Sequence, residues 1–74
     1  MVISVFGKVL RKLRESQSLS QEKLAEYCDL DRTYISLLER GLRQPTISTL
    51  FKMANALNIS PSELVRLVEM ELNK

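Results

Sequence analysis

Between Ser20 and Gly41 the chain reads SQEKLAEYCDLDRTYISLLERG, with two helix starts and two helix stops in close succession. Ser20 is a good N-cap, because its hydroxyl can accept from an early helix N–H. Leu24, Ala25 and Cys28 then recur on one side of a short helix. Asp29 is predicted to end that helix in the left-handed region. Glycine is the cheapest residue there, and Asp and Asn are the next most tolerant. Leu30 tucks back toward the core, Asp31 caps a second helix, and Gly41 stops it.

In that second helix Ile35 and Leu38 point inward, while Arg32, Thr33 and Ser36 point outward. Two short helices joined by a tight turn, the second with a polar basic face starting at its own N-terminus, form the layout of a helix-turn-helix. In that motif the second helix enters the DNA major groove. Three more apolar-periodic segments surround this pair. The first runs from about residue 3 to 16, with Val2, Phe6, Val9 and Leu13 at helical spacing and Lys8, Arg11 and Lys12 on the opposite, solvated side. The fourth runs from near Thr46 to Leu57, and the fifth starts at Ser60-Pro61 with Glu63 three residues after the cap. Both prolines and both glycines are placed near helix ends. The predicted fold is all-α: a compact five-helix bundle in one domain, residues 1–74, with the helix-turn-helix at about 20–40.

At 74 residues, such a domain hides a modest share of its surface and needs regular helix packing or association for stability. One cysteine excludes an internal disulfide, and the lack of histidine argues against a zinc site. Cys28 reads as a buried structural thiol with no base to activate it. No nucleophile and base are placed together, and no Gly-rich phosphate loop appears, so no catalytic residue, metal or cofactor is assigned. The opening Met1–Phe6 run is short and interrupted by Gly7-Lys8, unlike a signal peptide. A net charge of +2 permits nucleic acid as partner without demanding it.

The motifs Ser-Gln-Glu-x-Leu-Ala at 20–25, Tyr-Ile-Ser-x-x-Glu-Arg-Gly at 34–41, Pro-x-x-x-x-Leu at 45–50 and Leu-x-Ile-Ser-Pro-x-Glu-Leu at 57–64 resemble the phage repressor/Cro family, the xenobiotic-response-element type of helix-turn-helix regulator. The similarity covers about residues 5–68. Asp31-Arg32-Thr33-Tyr34-Ile35-Ser36 most resembles the controller proteins of restriction–modification systems. Asp29 departs from the family's glycine, and Leu37 stands where many relatives carry a polar or small residue. The resemblance implies a lambda-repressor-like fold and a sequence-specific transcriptional regulator of double-stranded DNA. It also implies a homodimer on a pseudo-palindromic operator, in a cytoplasm of bacterial or phage origin. The alternative of the same fold is a protein-interaction module, antitoxin-like or regulator-binding. RNA polymerase or another regulator is a further partner on this reading.

Residue roles follow. Base readout is assigned to Arg32, Thr33, Ser36 and Leu37. A guanidinium can bond guanine O6 and N7 together, and Leu37 either meets a thymine methyl or packs under the next loop. Backbone contact is assigned to Gln21, at the start of its helix, and to Tyr34, Arg43 and Gln44, with Tyr34 also able to shield the core. Arg40 reads as either a phosphate contact or a solvated charge favoured by the helix dipole, the second reading being preferred. The family pairs an arginine of the first helix with a glutamate of the recognition helix, and Arg14 and Glu39 fill those positions. The last helix, about 61–72, carries surplus apolar surface. Leu64, Leu67 and Val68 face inward, and Val65, Val68, Met70 and Leu72 are assigned to the dimer interface.

Overall fold

The computed structural model describes residues 1–74 as five helices without strands: α1 (Val2–Ser16), α2 (Gln21–Cys28), α3 (Arg32–Glu39), α4 (Ile47–Ala56) and α5 (Pro61–Leu72). Local chemistry sets these limits. Ser20 Oγ accepts from Lys23 N–H at 3.0 Å and Asp31 Oδ1 from Thr33 N–H at 2.8 Å. Thr46 Oγ1 accepts from Thr49 N–H and Ser60 Oγ from Glu63 N–H, both at 3.1 Å. Each cap satisfies one of the N–H groups that the first helical turn leaves without a carbonyl.

The first four closures share one geometry. Ser18, Asp29, Gly41 and Asn58 all have positive φ, at 58°, 57°, 73° and 59°. After each, the next N–H reaches back to the carbonyl five residues earlier: Leu19 to Arg14, Leu30 to Ala25, Leu42 to Leu37 and Ile59 to Ala54. This is the Schellman closure, in which an apolar residue after the left-handed position packs against the helix it ends. Leu19, Leu30 and Ile59 pack against the core in this way. Leu42 does not, and is 60% exposed.

α1 packs on α3 and α5, α2 on α3 and α4, and α4 on α5. Every helix, or the residue that closes it, sends a fully buried side chain to the centre: Leu10, Leu24, Ile35, Leu38, Met53, Leu57 and Leu64. Three sequence placements need correcting. Gly7 does not sit at a helix end but in the second turn of α1, buried against the last turn of α3. A Cβ there would overlap the Leu38 carbonyl oxygen and approach that of Glu39 to 2.7 Å. Only a residue without Cβ lets two helix backbones meet so closely. Val2 is half exposed at the rim rather than in the core. Val68 is only 7% exposed and belongs to the core, because the α5 face that carries Leu64 also carries it one turn on. It is therefore not available as a surface residue of the monomer.

Candidate nucleic-acid interface

α3 is amphipathic in a way that sorts its residues by task. Ile35 and Leu38 are completely buried, and Tyr34 is half-buried with its side chain packed against the core. Arg32 and Thr33 are exposed, and Ser36 and Leu37 are partly so. Positions 32, 33, 36 and 37 thus form one outward stripe at i, i+1, i+4 and i+5. Asp31 caps the helix, so the stripe begins at the end whose free N–H groups carry partial positive charge.

Behind that stripe lies a buried polar cluster. Arg14 Nε donates to Glu39 Oε2 at 2.6 Å, Arg14 Nη2 to Glu39 Oε1 at 3.1 Å, and Arg14 Nη1 to the Leu19 carbonyl at 2.7 Å. The hydrogen bond to Glu39 raises the Arg14 pKa above the usual guanidinium value, against the opposing effect of burial. The Glu39 side chain is 3% exposed. Such a pair holds α3 to α1 and to the turn before α2, and a buried pair with its remaining groups satisfied is costly to break one partner at a time. No buried side-chain nitrogen or oxygen lacks a hydrogen-bond partner.

Gln21 joins this cluster. Its Nε2 donates to Glu39 Oε1 at 3.0 Å, so the residue expected to meet a phosphate also bonds inward. The Gln21 and Glu22 N–H groups precede the first i→i−4 donor of α2 and so have no carbonyl within the helix to meet. Arg43 and Gln44 are exposed on the loop after α3, as is Leu42.

The arginines divide by charge pairing. The chain has six arginines. Arg11, Arg14 and Arg66 each contact a carboxylate, from Glu15, Glu39 and Glu63. Arg32, Arg40 and Arg43 contact none. The three unpaired guanidiniums all lie on α3, at its end or on its following loop, where an incoming polyanion would find them without competition.

Gln17, Ile47 and Phe51 carried no functional signal in the sequence, whereas Val65, Met70 and Leu72 were already assigned to a dimer face. Gln17 Nε2 donates to the Leu57 carbonyl at 2.8 Å, tying the α1–α2 turn to the end of α4. Ile47 and Phe51, one turn apart on α4, are 74% and 55% exposed, and Val65 on α5 is 50% exposed. Between α4, α5 and the start of α1 lies an apolar crevice of about 200 Å³, with Phe6, Pro45, Leu50, Val65 and Val68 in its walls. Met70 and Leu72 are also exposed. No helix is long and apolar enough to cross a membrane.

Comparison with known proteins agrees with this geometry. The helix-turn-helix family profile matches residues 10–64. Control protein C.BamHI of Bacillus amyloliquefaciens is 47% identical over 62 residues, covering 82% of this chain and 76% of that protein. The restriction-modification controller protein C.AhdI of Aeromonas hydrophila superposes with a TM-score of 0.81 at 45% identity, over 84% of this chain and 94% of that one. The controller protein C.Esp1396I, crystallised as a tetramer with its natural 35 base-pair operator, superposes with a TM-score of 0.92 at 34% identity, over 100% of this chain and 97% of that one.

Proposed function

The chain belongs to the helix-turn-helix family, and from that premise we propose that it is a sequence-specific regulator of transcription, binding double-stranded DNA as a homodimer. Its relatives support a finer reading, control of a restriction–modification system from a pseudo-palindromic operator. The observation that carries the proposal is the unpaired arginine set at 32, 40 and 43, on, at the end of and just after a helix that is buried on its other side. In this reading Arg32 and Thr33 lead into the major groove, with Ser36 and Leu37 one turn behind. Gln21, Tyr34, Arg43 and Gln44 meet phosphates, which fix the register of α3 but carry no sequence information themselves. The protein acts by binding alone, without a catalytic step, and works in the cytoplasm, where Cys28 stays reduced.

Dimerisation supplies the second half-site. One exposed helix touches only a few base pairs; two placed about one helical turn apart, ~34 Å, double the specific contacts. The residues that support this role are the exposed apolar side chains Ile47 and Phe51 on α4 and Val65, Met70 and Leu72 on α5, with Val65 in the wall of the crevice. From Pro45 to Phe51 the chain carries no charged residue, which matches the charge depletion of interface centres. A typical interface takes about 800 Å² per partner, roughly a sixth of this chain's 4765 Å².

Selection of bound sequences from a random duplex pool tests the proposal. The expected product is a motif with two inverted half-sites. Failure to enrich any motif, even at low salt, overturns it.

A further inference from the structure

The Gln21 side chain presents a choice that Glu39 resolves. A glutamine amide has two N–H groups on one side and an acceptor oxygen on the other, and a carboxylate can only accept. The 3.0 Å bond from Gln21 Nε2 to Glu39 Oε1 therefore fixes the amide with its nitrogen inward and uses one of its two N–H groups. A phosphate oxygen is likewise only an acceptor. An amide free to rotate offers it the repulsive carbonyl as often as the N–H. An amide anchored on Glu39 keeps a second N–H on a nitrogen whose position is set.

We propose that Glu39 is a positioning residue for DNA-backbone contact: by taking one N–H of Gln21, it holds the other available to a phosphate at the start of α2. This rests on the reading of Gln21 as a phosphate contact. Arg14 makes the arrangement compatible with a polyanion. Its Nε and Nη2 both donate to the same carboxylate, so the anchor is close to neutral rather than a bare negative charge. The third donor, Nη1 on the Leu19 carbonyl, ties the anchor to the turn that leads into α2. The pair thus serves α3 as a support and α2 as a reference point for its first side chain.

The test is a mutant cycle on affinity for a duplex recovered by the selection experiment, at one fixed salt concentration. Gln21→Ala is measured in three backgrounds: the parent, Arg14→Met with Glu39→Met, and Arg14→Met with Glu39→Gln. Replacing both partners of a buried pair by apolar groups of similar size often preserves the fold, and thermal melting checks that it does. In the parent, Gln21→Ala weakens binding about tenfold, the scale of one hydrogen bond to a charged group. With methionine at both positions the loss shrinks to about twofold or less, and with an amide acceptor restored at position 39 it returns, on the same principle. An equal loss in all three backgrounds shows that Glu39 acts only as a structural support, and overturns the proposal. No loss in the parent removes Gln21 from the interface and overturns both readings. A second measurement needs no substitution. In the ¹⁵N-labelled parent, titration with the duplex should shift one Nε2 proton of Gln21 strongly and leave the other nearly in place; two equal shifts, or none, overturn the proposal.

Discussion

Gly7→Ala reverses a common expectation. In a helix interior, alanine is ordinarily about 1 kcal/mol more favourable than glycine. Here the added Cβ would overlap the Leu38 carbonyl oxygen and come within 2.7 Å of that of Glu39. These are backbone atoms of the last turn of α3 and cannot swing aside as a flexible side chain would. α1 and α3 must part by roughly 0.5–1 Å, a gap that forfeits a quarter to a half of the contact energy across the seam. Overpacking of this kind typically costs about 1–3 kcal/mol. The separation also strains the 2.6 Å contact between Arg14 and Glu39, because position 14 lies two turns along the same face of α1 as position 7. Subtracting the propensity gain leaves about 0–2 kcal/mol from packing; strain in the buried ion pair adds about 1 kcal/mol, so the net loss is about 1–3 kcal/mol, equivalent to a fall in Tm of roughly 5–20 °C for a domain of this size. The assay is urea unfolding followed by circular dichroism, at one protomer concentration because dimerisation contributes to apparent stability. Lys8→Ala, on the exposed side of α1, is the control and should change stability by less than about 0.5 kcal/mol. A Gly7→Ala protein as stable as its parent, or more so, refutes the close approach and with it the account of how α3 is held.

Arg32→Ala should cost about 1–3 kcal/mol of binding and relax selectivity at one base pair of each half-site, read by repeating the sequence selection. Arg43→Ala should weaken all duplexes alike and reduce the slope of log affinity against log salt by about one; an unchanged slope removes it from the backbone contact. Phe51→Ser should shift sedimentation equilibrium toward monomer and weaken operator binding without lowering monomer stability, since the ring is half exposed in the monomer; an unchanged dimer places the interface elsewhere. Burial raises the Cys28 pKa above the ordinary thiol value of 9.0. The unfolded chain then loses a proton that the native chain keeps, so the contribution of this group to stability declines as pH rises from about 9.0 through the raised native value. At pH 8 its alkylation should track unfolding; rapid modification of the folded protein would contradict burial.

The helix limits were legible because the chemistry that sets them spans three or four residues. Ser20, Asp31 and Ser60 announce starts by side-chain oxygens placed to meet an N–H close ahead. Asp29 announces a stop, because few side chains tolerate its left-handed backbone. Ser18 adopts the same backbone without any such signal in the sequence: the closure there depends on Leu19 finding the core, which only the assembled bundle provides. Gly7 was misread for the same reason. Its function is to accept the backbone of a helix some thirty residues away, and nothing in its own neighbourhood marks that approach. On α4, apolar residues were recognised but not divided between faces. Ile47 and Phe51 have the composition of core and the exposure of surface, and the proposed dimer face is argued from that combination. Val68 shows the converse: it was read as facing inward and also assigned to the dimer interface, and the small core consumes it.

On the proposed reading, these long-range contacts are what would let so short a helix discriminate between bases. α3 spans only eight residues, below the length at which an isolated helix is stable in water. Left alone it would have to be ordered at the moment of binding, and that entropy would be subtracted from whatever its base contacts supply. In the folded protein the ordering is complete beforehand. Asp31 fixes its first turn, Ile35 and Leu38 its inner face, and Gly7 and Arg14 its last turn. Energy from the Arg32 contact can then appear as a difference between operators rather than being spent on forming the helix. By the same reasoning, substitutions at Gly7 or Arg14, which do not lie on the outward stripe, should reduce affinity for correct and incorrect sequences together. Substitutions at Arg32 should narrow the gap between them, and that contrast separates the support of the reading helix from the reading itself.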